Sequence, residues 1–432
     1  MKFFLLVGGA AIITMVGAAE SSLAQNKRGA APARSQPAAG PTATYWMSAE
    51  TATGMSAMAA GGMPGMAAMS GGATAPGAAP QRPGAGAVIG GLLGRGGGLL
   101  ARGGGLFGRK SGSKSTPPQA QASRAAQMDP VVHQLLLQLG SRNRAPSTPN
   151  ADHFVPPSLQ AGQSLPLVTP ESAPPTQPGQ FERPKGKILL YWGCGERARA
   201  GQPVTIDFSK IAAGQMPPGL SNGPQIRAEQ PPTLSRFPGY GEWPNKRQTR
   251  QFPGTASLVG NHVVRGNYSP EISFALATGQ DFLGPLRMTA NSAAPSGAVP
   301  LRWQSVPNAT AYHALVTGSA SDGTLVMWSS SESQMFGMAY DYLSGADAAR
   351  LVQARVLMSP ATTSCTVPAE VQRSVQGAML MMTAYGPETN LSQPKPATAP
   401  VSWRPDWTVK LRTRSSHSGM LGMDMAAMMR GE

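Results

Sequence analysis

Trp407, Val409 and Leu411 alternate with Lys410, Arg412 and Arg414. A period of two puts the apolar side chains on one face of a strand and the cations on the other. Similar short signals recur through the second half of the chain. His133 to Leu139 has period-two apolar positions, and Lys187-Ile-Leu-Leu-Tyr-Trp192 is an apolar run closed by Gly193-Cys194-Gly195. Pro203 to Phe208, 258–264, 270–277 and 282–288 continue the pattern between Gly, Pro and Asn turns. Val299 to Trp303, Ala311 to Val316, Leu325 to Trp328, Thr362 to Pro368 and Ala378 to Tyr385 complete the strands. Ser344 to Val356 has helical spacing, with Ser344 placed to cap it. The expected fold is mainly β, with two tandem β-sandwich-like modules at 129–292 and 293–414.

Three fragments of the second module carry a resemblance. They are Leu301-x-Trp303, Val306-Pro307-Asn308-Ala309-x-x-Tyr312, and Ala384-Tyr385-Gly386-Pro387-Glu388. Together they resemble a fibronectin type III-like module over about 297–411. The resemblance implies a seven-strand sandwich used for binding, spacing or display. The helical stretch near 340–356 departs from that pattern and leaves the strand order open. The whole chain also resembles exported proteins of uncharacterised function common in Gram-negative bacteria, which implies an address and no activity.

Composition changes the picture for the first third. Gly (52) and Pro (41) exceed a fifth of the 432 residues, an aperiodic excess that favours low-complexity stretches over packed helices. Lys2 followed by a mostly apolar run to Val16, with Ser22-Leu23-Ala24 before Gln25, reads as a signal peptide over 1–24. Residues 25–128 read as a disordered basic arm rich in Gly, Ala and Met, because they carry few aromatics to offset chain entropy.

The net charge of +15 concentrates there: 81–124 holds seven basic residues and no acid. Within it the unit GGLΦxRG recurs at period seven between Gly90 and Lys110, the third copy ending in Lys110 in place of Gly. Ten of those 21 residues are glycine, which opposes a free helix. Arg95, Arg102, Arg109, Lys110 and Lys114 are the candidate residues for an anionic surface, with Leu and Phe placed to insert. The alternative is a low-complexity linker. The run lacks interleaved aromatics, which argues against nucleic acid.

Eleven of the 23 methionines fall in two clusters, Met47 to Met69 and Met420 to Met429. Thioethers select Cu(I), so His417, Met420, Met423 and Met425 in a flexible tail over 415–432 form a candidate copper set. The competing reading is adaptable packing by methionine. Cys194 and Cys365 either form a disulfide that staples the two modules or remain two buried thiols. His133, His153, His262, His313 and His417 match no metalloprotease spacing, and no nucleophile elbow or phosphate loop appears. The loop around 227–250, with Arg227, Arg236, Lys246, Arg247, Arg250, Tyr240 and Trp243, suits a carbohydrate or an anionic polymer, or is a basic loop of no fixed role. The functional expectation is a non-enzymatic exported envelope protein, periplasmic or outer-membrane-associated. It would need no cofactor, and its basic arm would bind anionic envelope components or other envelope proteins through peripheral membrane contact. The alternative is a periplasmic Cu(I)-binding protein.

Overall fold

The computed structural model describes residues 40–60, 130–171, 186–212, 215, 229–334, 341–375 and 377–423. Seventeen strands are described. They are β1 (Ala43–Gly54), β2 (Val132–Ser141), β3 (Ala151–Phe154), β4 (Ser164–Pro166), β5 (Lys187–Trp192), β6 (Val204–Asp207), β7 (Gly239–Trp243), β8 (Phe252–Pro253) and β9 (Gly260–Gly266). Then follow β10 (Ile272–Leu276), β11 (Met288–Asn291), β12 (Val299–Trp303), β13 (Ala311–Ser319), β14 (Leu325–Ser329), β15 (Ser364–Val367), β16 (Ala378–Ser392) and β17 (Trp407–Met420). Short helices are α1 (Met55–Ala60), α2 (Phe208–Ala212), α3 (Gly345–Gln353) and α4 (Ala369–Arg373). Ser344 caps α3, its hydroxyl accepting from the Asp347 amide.

One large sheet runs β6-β5-β14-β13-β16-β17-β1-β2-β7, with β8 also paired to β2. A four-stranded sheet, β10-β9-β3-β4, and a three-stranded sheet, β11-β12-β15, lie apart from it. The large sheet therefore has a core at each end. Tyr45, Met47, Leu135, Leu137 and Trp407 from it pack with Leu165, Val264, Ile272 and Leu276 of the four-stranded sheet. Tyr312, Val316, Trp328, Leu380 and Met382 pack with Val299, Leu301, Trp303 and Val367 of the three-stranded sheet.

A polar seam separates the two cores. On the inward face of β1 the apolar run Ala43, Tyr45, Met47, Ala49 gives way to Thr51 and Thr53, all buried. Thr51 donates to the carbonyl of Leu283 at 2.6 Å, and Thr53 to that of Leu286 at 2.7 Å. Ser415 of β17 accepts from the Leu286 amide at 3.0 Å. The connector from β10 to β11 crosses here, and these side chains replace the ladder bonds its backbone lacks. For this reason 282–288, which reads as a strand in the sequence, pairs only from Met288 onward.

Three expectations need correction. First, residues 43–54, inside the stretch expected to be a disordered arm, form a central strand, parallel to β17 and antiparallel to β2. Its own alternation of Ala43, Tyr45, Met47 and Ala49 against Thr44, Trp46, Ser48 and Glu50 was hidden by the composition of the wider segment. Second, residues 415–420 belong to β17 and are no flexible tail. Third, the 129–292 and 293–414 stretches interleave: β5 and β6 pair beside β14, so the large sheet passes through both.

Candidate functional site

β1 and β2 are antiparallel neighbours, with Ala52 opposite Val132 at the end of the pairing. The segment between them therefore leaves and re-enters the sheet at one end, as the loop of a very long hairpin. Arg95, Arg102, Arg109, Lys110 and Lys114 all lie in that segment and outside the described residues, as does the signal-like stretch 1–24. The parallel pairing brings Gly54 opposite Ser418, and β17 ends two residues later at Met420. The C-terminal end of β17 thus sits at the same end of the sheet as the mouth of the basic loop.

Two of the four candidate copper ligands, His417 and Met420, are not brought together. His417 and Met420 differ by three positions in one strand and project to opposite faces. Thr53 Oγ1 lies 3.0 Å from His417 Nδ1. That hydroxyl already donates to Leu286, so the imidazole N–H is the donor to Thr53. Met423 is half exposed, and Met425 lies outside the described residues.

The cationic face of β17 holds the most developed polar cluster. Lys410 bonds Glu388 at 2.6 Å and Glu229 at 2.7 Å. Arg414 bonds Glu50 at 2.6 Å and Asp341 at 3.3 Å. Between them, the Arg412 guanidinium lies 4.6 Å from the ring centres of both Trp46 and Tyr342, and donates to Ser48 at 2.7 Å. Among the described residues it has no carboxylate partner, and the quadrupoles of two aromatic rings take that place. Arg414 also lies over Tyr342 at 4.8 Å, and Lys410 over the Trp46 ring at 5.3 Å. Burial pushes the Tyr342 hydroxyl up to about 12. A shallow pocket lined by Trp46, Tyr342, Glu229, Glu388, Asp347 and Arg412 opens beside the ladder, with room for about one water-sized group of 20 Å³. The alternation along β17 pointed to the cations. No local signal announced Trp46 or Tyr342, which lie 366 and 70 residues from Arg412 in sequence.

A second cluster is wholly buried. His262 Nε2 lies 2.7 Å from the Leu258 carbonyl, which can only accept. His262 Nδ1 is then the acceptor for His153 Nε2–H at 3.0 Å. His153 Nδ1 in turn accepts from the Tyr45 hydroxyl at 2.9 Å. Phe274 stacks on His262 with ring centres 5.0 Å apart. One carbonyl thus fixes both tautomers, and β1 is tied to the four-stranded sheet through a neutral chain. Burial and the neighbouring His262 hold His153 well below the ordinary histidine range, and burial lowers His262.

Cys194 and Cys365 form a disulfide between the loop after β5 and strand β15. His313 is buried in β13, and burial brings its pKa to about 4. The aromatics of the 227–250 loop do not face solvent: Tyr240 and Trp243 lie buried in β7. Arg250 donates to the Ala161 carbonyl and Lys246 pairs with Glu171, and Arg227 lies outside the described residues. No helix of the described residues is long and apolar enough to cross a membrane. No family model, curated protein or solved structure matches the chain.

Proposed function

We propose that this chain is a non-enzymatic exported envelope protein that holds to anionic surfaces through its basic GGLΦxRG loop, its β sheets serving as a scaffold for binding or display. The observation that carries the reading is the hairpin: seven basic residues and no acid lie in a segment anchored at both ends by the β1–β2 pairing. The described ends of that segment meet at one end of the sheet, so it connects two paired strands. Each cation near an anionic membrane contributes about 1 kcal/mol, so seven reach about 7 kcal/mol in the additive limit. That attraction fades within a Debye length and weakens with salt.

The scaffold half of the reading rests on strand order. Seven consecutive strands divide into β11-β12-β15 and β14-β13-β16-β17, a count and division that support a fibronectin type III-like module over about 297–411, with β11 just before that range and the end of β17 just beyond it. The acids nearest the cationic ladder, Glu50 and Glu388, are committed to ion pairs that hold strands together.

The test is vesicle sedimentation of the chain from Gln25 onward, beside a variant lacking 81–124. The deletion leaves 27 residues to join Ala60 to Val132, far more than adjacent strands need. The proposal expects retention on vesicles rich in phosphatidylglycerol at low salt, release at high salt, and no retention of the deletion variant. Equal retention of both forms overturns it.

A further inference from the structure

Beyond surface attachment, we infer that the outer face of the sheet at the end of β17 is a thioether site for a soft monovalent ion, Cu(I) or Ag(I), built from Met379, Met381 and Met420 with α1 supplying a fourth sulfur from Met55 or Met58. The two methionine clusters of the sequence are more than 350 residues apart, and the parallel β1–β17 pairing brings Met55 and Met58 of the first to the same end of the sheet as Met420 of the second. Met379 stands directly opposite Met420 in the β16–β17 ladder, and Met381 opposite Ser418. Paired residues share a face with Cβ atoms about 5 Å apart, and the diagonal neighbour lies within reach of a long side chain. Met379, Met381 and Met420 therefore form one triangle on one face.

The chain turns directly after β1 into α1, which packs on β17 beside that triangle. Ser56 of α1 lies 2.6 Å from Ser418 through their hydroxyls, which seats α1 against β17 at the residue paired with Met381. Met55 and Met58 are three residues apart, on one side of that helix turn. All five methionines are partly buried, and none belongs to an apolar core. The inward residues of the same stretch of β16, Ala378, Leu380 and Met382, do the core packing. Methionine at these five outward positions is thus not explained by filling a core.

Three or four thioethers on one patch suit a soft d¹⁰ cation. Thioethers need no deprotonation, so binding should be insensitive to pH. The set differs from the tail His417, Met420, Met423 and Met425: it shares only Met420 and excludes the imidazole.

Silver(I) is the probe, because it needs no reductant and leaves the Cys194–Cys365 disulfide intact. Competition against a chromogenic chelator, read beside the shifts of ¹³C-labelled methionine methyls, is run on three proteins: the full chain, M379L/M381L, and M425L/M428L/M429L. The expected result is one ion per native chain, at least tenfold weaker binding in M379L/M381L, and near-native binding in the tail variant. Two results overturn the site: no Ag(I) retained by the native chain, or binding lost in the tail variant and kept in M379L/M381L. Circular dichroism of M379L/M381L checks that the fold is kept. Should that variant unfold, the methyl shifts of the native chain decide alone, since the site requires Met379, Met381 and Met420 to move together on adding silver.

Discussion

Acid should loosen this fold, and the buried histidines set by how much. His313 titrates near 4 in the folded chain because burial disfavours its charged form, against 6.5 for an exposed histidine. The sign follows from which state binds the proton more readily. Between pH 6.5 and 4 the unfolded chain takes up a proton at His313 that the folded chain refuses, so stability falls as pH falls. The slope is about 1.4 kcal/mol per pH unit. His313 alone therefore removes about 2 kcal/mol at pH 5 and about 3 kcal/mol once pH drops well below 4. His133, His153 and His262 are lowered by burial as well, so each adds loss of the same sign. The assay is urea unfolding followed by tryptophan fluorescence at pH 7, 6 and 5 at constant ionic strength. The midpoint should fall with pH at an unchanged slope. His313→Asn should cost stability at pH 7, and that deficit should shrink by about 2 kcal/mol at pH 5. Parallel pH profiles for the two proteins would refute the reasoning, as would native stability that rises toward pH 5.

Other perturbations follow from single contacts. Tyr45→Phe leaves His153 Nδ1 buried without its donor and should cost about 1–3 kcal/mol, measured by denaturant unfolding at pH 7. Glu50→Gln strips Arg414 of its close carboxylate and leaves the exposed Asp341 as its remaining ion-pair partner among the described residues. The pair is about one-sixth exposed, so the loss should be about 2–3 kcal/mol, somewhat below that of a fully buried pair, and it should change little with salt. The disulfide closes a loop over a sequence separation of 171. Chain-entropy reasoning gives it about 5 kcal/mol as an upper figure. Reducing the native chain should lower the unfolding midpoint to that of Cys194→Ser/Cys365→Ser, and reductant should not affect the double variant.

Much of this architecture was legible because period-two patterns report faces locally. β5 and β17 follow from Ile188, Leu190, Val409 and Leu411, and the start of α3 from Ser344. Pairing was not legible. Alternation says which side of Thr51 faces inward and nothing about the Leu283 carbonyl it meets. β1 escaped notice because the Gly- and Ala-rich sequence around it diluted Tyr45, Trp46 and Met47. His417 and Met420 part for a geometric reason: in a strand, positions three apart face opposite ways, so the spacing that would unite them on a helix separates them here. The Tyr45–His153–His262 chain draws on three distant segments, and none of them carries a motif.

The hairpin anchoring of the basic loop is tested most directly in cells. The native chain and a variant lacking 81–124 would be expressed with the signal-like N-terminus intact, and envelopes washed at low and high salt. The account predicts native protein on the envelope at low salt, its release at high salt, and the deletion variant folded and free in the soluble exported fraction. Native and deleted protein partitioning alike at every salt concentration would contradict it.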